Sequence, residues 1–372
     1  MNRRDWIRNS ALGGGMALLG GIPSLYALTP EERKKFNPRP LEKVIKLSSN
    51  ENPYGPSEQV REAIKSSFDI ACRYPYSYAD ELAEMLAKKE GVTREQIIIT
   101  GGSTEALKAC GITFAANGGE IIAGKPTFLA MMTYASQWGA KVKWIPVNEE
   151  MQYDMPAIND AISSKTGLVF LCNPNNPTST LLPKDVLLEY SEAIAKKTVL
   201  FSDEAYYDFI EDPKYPSLVS MVHEGKNVVV SRTFSKVYGM AGLRIGYLVT
   251  TPKLAEKIRS RVMAYSNVPA IQGAKAALDD KEFYNFSLKK NKEAKQMICN
   301  TLDSLGLEYA PSHTNFVFFH SGKPIRELHK AMLDKGVQIG RPFPPFTDWC
   351  RISTGTLEEV QRFCDGLKEI YV

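Results

Sequence analysis

Histidine is scarce in this chain of 372 residues: there are four, none spaced as HExxH or as another paired ligand set. That removes the commonest histidine-built metal centres, and no metal site is expected. Cysteine is sparse too. The six, at positions 72, 110, 172, 299, 350 and 364, form no CxxC and no metal-ligand spacing. An excess of one charge is also missing, with 46 Lys and Arg against 42 Asp and Glu and a net charge of +4. No basic stripe with interleaved aromatics occurs, so a nucleic-acid partner is not expected and a small molecule is the default. Fixed-period repeats and low-complexity tracts are absent as well. What is present is an ordinary globular composition, 44% hydrophobic and 10% aromatic, in a chain long enough for a large core and two domains.

The first 27 residues differ from the rest. MNRRDWIR is basic, and SALGGGMALLGGIPSLYA is apolar and rich in glycine. A charged region followed by a short apolar one is the layout of an export signal. Arg3 and Arg4, followed by Trp6 and Ile7, resemble a twin-arginine signal. An ordinary secretory signal or an anchor would share the composition, but the apolar stretch is broken by Gly and Pro and is short for a span. Export to the periplasm by the twin-arginine route is expected, with no stable membrane span in the mature form. If the signal is not used, the protein stays cytoplasmic. A protein that folds in a reducing cytosol before export is expected to keep its cysteines as free, buried thiols.

Past residue 80 the elements alternate. ADELAEMLAKKEGV (79–92) has helical spacing and reaches its stop at Gly91. QIIIT (96–100) reads as a buried strand and STEALKACGITFAA (103–116) as a helix. EIIAG, KVKWIPV, GLVFLC, TVLFSDE and NVVVSRT are further short runs rich in β-branched residues, with helices such as PKDVLLEYSEAIAKK (183–197) between several of them. This predicts an α/β domain with a mainly parallel sheet. From about 270 a long charged helix leads to the strand-like NFVFFH and RIST, as in a smaller α+β domain. The expected division is an export signal (1–27), an arm that packs on the small domain (28–65), a large domain (66–268) and a small domain (269–372).

Four segments carry chemistry. In ITGGSTEALKA (99–109) a strand ends in two glycines, and Ser103 and Thr104 open a helix. Free N–H groups and hydroxyls at a helix start suit an anion, though a capped strand–helix turn gives the same letters. FLCNPNNPTS (170–179) is a rigid loop at the sheet edge where α/β folds place ligands, and Asn176 there could donate to an anionic oxygen. FSDEAYYDF (201–209) puts Asp203 at a strand end, where a carboxylate is costly without a cation, with Tyr206 three residues on. A structural ion pair would satisfy Asp203 equally. TFSKVYGMAGLRIGY (233–247) holds Lys236 and, eight residues later, Arg244. A lysine near another cation and shielded from water has the lowered pKa that an amine attacking an aldehyde needs. The planar fork of an arginine suits a phosphate. Together these groups describe one ligand with a phosphate, a protonated pyridine, a phenolate oxygen and an aldehyde, which is pyridoxal 5′-phosphate.

The sequence resembles the fold-type I, class I/II pyridoxal-phosphate aminotransferases, nearest to the histidinol-phosphate aminotransferase branch. The resemblance rests on SSNENPYGPS (48–57), RYP (73–75), GGSTEAL (101–107), PTF (126–128), NPNNPT (173–178), DEAY (203–206), RTFSKVYGMAGLRIGY (232–247), NFVFF (315–319) and RISTGT (351–356). It implies a large domain with a mainly parallel mixed sheet flanked by helices, plus a smaller α+β domain. It implies that Lys236 holds the cofactor aldehyde and then moves the substrate proton. Asp203 would sit on the ring nitrogen, with Tyr206 and Asn176 donating to the phenolic oxygen. Ser103, Thr104, Ser235 and Arg244 fall on the phosphate-binding positions, and Phe128 falls where an aromatic ring stacks on the cofactor. Tyr74 resembles the tyrosine that reaches the neighbouring subunit's phosphate, which implies a homodimer with shared active sites. Arg351 would clamp the substrate α-carboxylate, with Asn52 and Tyr54 bordering the substrate. The implied reaction moves an amino group from an amino acid to a 2-oxo acid in ping-pong order.

The substrate side departs from the pattern. Relatives acting on histidinol phosphate carry an arginine where GVQIGRPFPPFTDWCRIST (336–354) has Gly340, and Arg341 comes one residue late. Phe343, Phe346 and Trp349 nearby read as small-domain core. An amino acid donor with an aromatic or otherwise bulky side chain is therefore expected. Histidinol phosphate is the alternative, with Arg341 rotating in. A lyase resembling threonine-phosphate decarboxylase would keep the same cofactor residues. A non-catalytic binding protein would have no use for Lys236 together with Asp203, Arg244 and Arg351. An unrelated soluble α/β protein would have to match all of these segments in order by accident.

Overall fold

A computed structural model describes residues 43–263 and 265–371. The expected export signal, with Arg3 and Arg4, and the first part of the 28–65 arm lie outside the described residues.

The described chain opens with β1 (Ile45–Lys46) and α1 (Glu58–Ser66), whose N-cap Ser57 side chain accepts from the Val60 amide. α2 (Tyr76–Glu90) ends at Gly91, whose left-handed φ of 70° stops the helix. An alternating run follows: β2 (Ile97–Thr100), α3 (Ser103–Ala115), β3 (Glu120–Lys125), α4 (Ala130–Ser136), β4 (Lys141–Pro146), α5 (Met155–Asp160), β5 (Thr166–Cys172), α6 (Lys184–Ala195), β6 (Val199–Asp203), α7 (Val219–His223), β7 (Val228–Thr233) and β8 (Gly246–Thr250). The seven strands from β2 to β8 form one sheet in the order β2-β8-β7-β6-β5-β3-β4. β4, β3, β5, β6 and β7 run parallel, while β8 is antiparallel to both β7 and β2. The fold is α/β with a mixed, mostly parallel sheet.

Both faces of this sheet are buried, so its strands read as nearly continuous apolar runs. Ile97, Ile122, Val169, Leu171, Leu200 and Val230 pack on one face, and Ile98, Ile121, Leu168, Phe170, Phe201 and Val229 on the other. β8 is the strand not named from sequence. It follows a glycine-rich loop rather than a helix, so alternation with helices does not flag it.

After β8 come α8 (Pro252–Arg259), α9 (Val268–Asp279), α10 (Lys281–Ser304), β9 (Phe316–His320), α11 (Ile325–Asp334), β10 (Val337–Gln338), β11 (Trp349–Ser353) and α12 (Leu357–Tyr371). β9 and β11 form an antiparallel pair that sets Phe318 opposite Arg351. β10 pairs in parallel with β1, which brings the start of the described chain onto its last third. Ala294, Ile298, Val317, Phe319, Leu328, Ile352 and Phe363 form a separate core there, closed by Ile45 and Leu47. α1 and α9 pack together on the larger core, where a Cβ at Gly273 would meet Val60 and Ile64 at 3.3 and 3.2 Å.

The segment after β1 crosses to the loop that follows Lys236. At the crossing, Gly55 and Gly239 touch backbone to backbone. A Cβ on Gly239 would stand 2.5 Å from the Gly55 Cα, and its φ of 68° is left-handed. Gly239→Ala is expected to cost about 2–4 kcal/mol of stability, while Gly242→Ala, with nothing within 4 Å of its Cβ, should stay within about 0.5 kcal/mol. Denaturant-unfolding midpoints of the two variants check this.

Candidate active site

The carboxyl ends of β5, β6 and β7 and the loop after β2 open into one cavity of about 590 Å³. At one end is a seat for an anion. Gly102, at φ 78°, turns the chain so that Ser103 and Thr104 begin α3 facing the cavity. Arg244 holds a left-handed φ of 54°, and its Nη1 donates to the Ala241 carbonyl at 2.7 Å. The Arg244 Nη2 lies 2.5 Å from where a Cβ on Gly102 would stand, so only glycine admits the guanidinium. Ser235 completes this end, and its hydroxyl accepts from Thr233 Oγ1 at 2.9 Å.

Asp203, the last residue of β6, lines the cavity, and its buried Oδ1 has no hydrogen-bond partner among the described residues. Burial pushes its carboxyl up to about 7, opposed by the Ala205 amide and the Lys236 charge. A carboxylate so placed calls for a cationic donor from a ligand.

Lys236 Nζ donates to the Asn50 carbonyl at 2.9 Å and lies 5.4 Å from the Tyr206 ring centre. Loss of solvent, then the Arg351 cation, pull its amine down to about 8. The Tyr206 hydroxyl accepts from the Asn50 amide at 3.0 Å and from the Asn176 amide at 3.4 Å. Burial raises its pKa. On β11, Arg351 donates to Asn176 Oδ1 at 2.7 Å and to the Ser48 carbonyl at 2.6 Å, and its Nε has no partner among the described residues. Burial lowers its pKa to about 10.

One amide beside these is structural. Asn175 donates to the Pro126 carbonyl at 3.1 Å and accepts from Thr127 at 3.0 Å and Tyr153 at 2.8 Å. It ties the loop of Phe128, a cavity residue, to the loop of Asn176.

The family profile described as aminotransferase class I and II matches residues 42–367. The chain belongs to that family. It is an aminotransferase, an enzyme that uses pyridoxal phosphate to exchange amino groups between amino acids and 2-oxo acids. It is 36% identical over 334 residues to the histidinol-phosphate aminotransferase of Caldicellulosiruptor saccharolyticus, covering 89% of this chain and 92% of that one. The crystal structure of the histidinol-phosphate aminotransferase of Sinorhizobium meliloti in complex with pyridoxal 5′-phosphate superposes with a TM-score of 0.80 at 26% identity, covering 96% of this chain and 99% of that one. The L-threonine-O-3-phosphate decarboxylase of Porphyromonas gingivalis is similar at TM-score 0.76 and 25% identity, over 88% and 99% of the two chains.

The aminotransferase brings eleven of the residues expected from sequence to one cavity: Ser103, Thr104, Phe128, Asn176, Asp203, Tyr206, Ser235, Lys236, Arg244, Arg341 and Arg351. Three stand elsewhere. Asn52 and Tyr54, expected to border the substrate, do not line this cavity. The Asn52 amide is used by the Val237 carbonyl at 2.8 Å and Ser287 at 2.9 Å. Tyr54 is buried edge-on to Phe286, its hydroxyl accepting from the Leu357 amide. Their neighbours Asn50 and Glu51 line the cavity instead. Tyr74 does not line its own chain's cavity; it is 79% exposed and stacked on Tyr76.

Asn50 is the main residue that sequence reasoning misses. It lies inside the quoted SSNENPYGPS, but only its left-handed φ of 54° separates it from Asn52. Phe343 packs with Phe318 and Trp349 as core, and it also lines the cavity.

The unpaired carboxylate gives a stability test with a defined sign. A carboxyl raised by burial favours the native state below its unfolded range, about 4, and costs stability as pH rises through 7. In cofactor-free protein, Asp203→Asn should raise the thermal midpoint at pH 8, with the gain shrinking as pH falls toward 4. Melting curves of both proteins across that range test it.

Proposed function

We propose that this aminotransferase takes an amino acid with an aromatic or otherwise bulky side chain as donor and passes its amino group to a 2-oxo acid in two ping-pong half-reactions. The observation that carries the reading is the convergence of Lys236, the unpartnered Asp203 carboxylate, Arg244 and Arg351 on one cavity. Pyridoxal phosphate fits the residues present. Asp203 Oδ1 suits a protonated ring nitrogen, and Arg244 with Ser103, Thr104 and Ser235 suits a phosphate at the start of a 13-residue helix. Phe128 supplies a ring face, and Tyr206 and Asn176 suit the phenolic oxygen.

The bound cofactor supplies an electron sink for the bond being broken at the donor Cα. The chain's own residues do the rest. Arg351 offers its fork to the α-carboxylate and so fixes which bond of Cα is presented. With the cofactor bound, Lys236 Nζ, drawn toward its neutral form, would take the donor Cα proton and deliver it to the cofactor's former aldehyde carbon. Asp203 would hold the ring nitrogen in its protonated form. The residues that could admit the donor side chain are Ile339, Phe343, His329, Gln338 and Arg341.

Two observations support other donors. The Arg341 guanidinium lies 4.4 Å over the Phe343 ring at the cavity wall, within reach of a distal phosphate, and the relatives are named for histidinol phosphate. Position 340 itself cannot carry an arginine, because a Cβ there would meet the Arg351 carbonyl at 2.4 Å. The similarity to a threonine-phosphate decarboxylase supports a lyase reading.

Tyr74 supports a homodimer. It stacks on Tyr76, which meets Tyr265 edge-on at 4.9 Å, and Phe68 and Met263 are exposed as well. Exposed rings of this kind support an interface there, and they would suit a Tyr74 that reaches the neighbouring subunit's phosphate seat. Export through a twin-arginine route that carries folded proteins is part of the proposal, since it would let the protein cross with its cofactor bound.

A donor screen read by visible absorption tests the donor class. Phenylalanine or tyrosine should bleach the cofactor band and yield the amino form. If only histidinol phosphate reacts, or if a phospho-amino acid releases carbon dioxide instead, the bulky-donor reading falls. With histidinol phosphate as donor, Arg341→Ala should lower kcat/KM about 10- to 100-fold; with phenylalanine the loss should stay within about threefold. Replacing Arg3 and Arg4 with Lys should leave the active enzyme inside the cell, and activity still found outside would remove the export proposal.

A further inference from the structure

Asn50 is where three distant parts of the chain meet. It is 1% exposed, with a left-handed φ of 54° that asparagine tolerates better than most residues. Its backbone amide donates to Ser353 Oγ at 2.8 Å, and Ser353 Oγ donates back to its Oδ1 at 2.9 Å. Its Nδ2 donates to the Tyr206 hydroxyl at 3.0 Å, and its carbonyl accepts from Lys236 Nζ at 2.9 Å. All four of its polar atoms are therefore engaged. Ser353 lies two residues beyond Arg351 on the same strand, so β11 holds this turn through Ser353 and, by way of the Ser48 carbonyl, through Arg351.

The hydrogen-bond arithmetic at Tyr206 gives the turn a purpose. A phenolic hydroxyl has two lone pairs and one proton. Asn50 and Asn176 both donate to that oxygen. With both lone pairs engaged by amides, the hydroxyl can face the cavity only as a donor, and accepting two bonds strengthens the one it gives. Lys236 is treated similarly, because one of its N–H bonds is committed to the Asn50 carbonyl and the orientation of the amine is thereby restricted.

We propose that Asn50 is a positioning residue for transamination: its amide commits the Tyr206 hydroxyl to donation into the cavity, and its carbonyl orients the Lys236 amine, with Ser353 holding both in register. This rests on the reading of Lys236 and Tyr206 given above.

The test uses holoenzyme and follows the pH-dependent change in visible absorption of the bound cofactor. A donor to the cofactor's phenolic oxygen stabilises the deprotonated form, so weakening that donor raises the midpoint. Asn50→Gly keeps the left-handed backbone and removes only the side chain. It should raise the midpoint by about one pH unit, and a fall in thermal midpoint from the two buried side-chain bonds it loses is read separately by melting curves. In a Tyr206→Phe background the same change should add nothing, because the amide acts through that hydroxyl. Ser353→Ala should move the midpoint in the same direction by a smaller amount.

The charged and titratable groups around Lys236 and Tyr206, namely Arg351, Arg244, Glu51, Asp203 and Cys172, are untouched in Asn50→Gly and Ser353→Ala. A shift that persists undiminished in the Tyr206→Phe background, or no shift with Tyr206 present, would overturn the role of Asn50 while leaving the cofactor reading intact. If Asn50→Gly does not fold, Ser353→Ala decides: an upward shift supports the proposal and an unchanged midpoint ends it. A parent protein that gives no visible band with pyridoxal phosphate would instead fail at Lys236 and take the proposal with it.

Discussion

The active site depends on one unfavourable fact, a carboxylate buried at the end of a strand with an oxygen left unpaired. Asp203 is 3% exposed. Nothing among the described residues satisfies its Oδ1, and the nearby Lys236 offsets only part of the cost. A protein keeps such a group only where its strand cannot relax. β6 is held between β5 and β7, with Asp203 paired across to Cys172 and Ser231, and Leu200 and Phe201 buried on opposite faces. The sheet gives up stability at its carboxyl edge, and under the proposed role an incoming cationic ring nitrogen would find its partner already desolvated.

The other half of the site is arranged by backbone. Gly102 and Arg244 have left-handed φ values and fit one another, since a Cβ on the first would occupy the place of the second's guanidinium. The two loops around Phe128 and Asn176 are fastened together by Asn175, Thr127 and Tyr153, a buried network whose bonds to the Asn175 amide are all within 3.1 Å. These contacts lie a layer away from the chemistry and fix where its donors point. Arg351 is held differently. Its fork is occupied by the Ser48 carbonyl and Asn176 Oδ1, so under the proposed role a substrate carboxylate would have to share or replace those bonds.

Much of this is legible in the sequence. Strand and helix runs from residue 96 to 233, the glycine stop at Gly91, and the order of Ser103, Asn176, Asp203, Lys236 and Arg244 are local patterns that a linear reading can recover. What escapes depends on dihedral angles or distant partners. Asn50 and Asn52 are the same residue type two positions apart, and only the turn at Asn50 sends one to Lys236 and the other to Val237 and Ser287. β8 escapes because it enters the sheet against the parallel run, after a loop. Phe343 is expected as core and is core, but the same ring faces the cavity because β9 and β11 bring it beside Arg351.

The bonds that join Asn50 to Ser353 and Ser48 to Arg351 each span 303 residues of sequence. The arm made first meets its anchor only when the final strand has been made. A nascent chain on the ribosome can therefore complete the large sheet and its anion seat, but it has no means of fastening the arm or aiming the amine of Lys236. On the reading proposed above, the catalytic arrangement would wait for β11, and a chain truncated before it would keep the large sheet's side of the cavity but lack the clasp between Asn50 and Ser353.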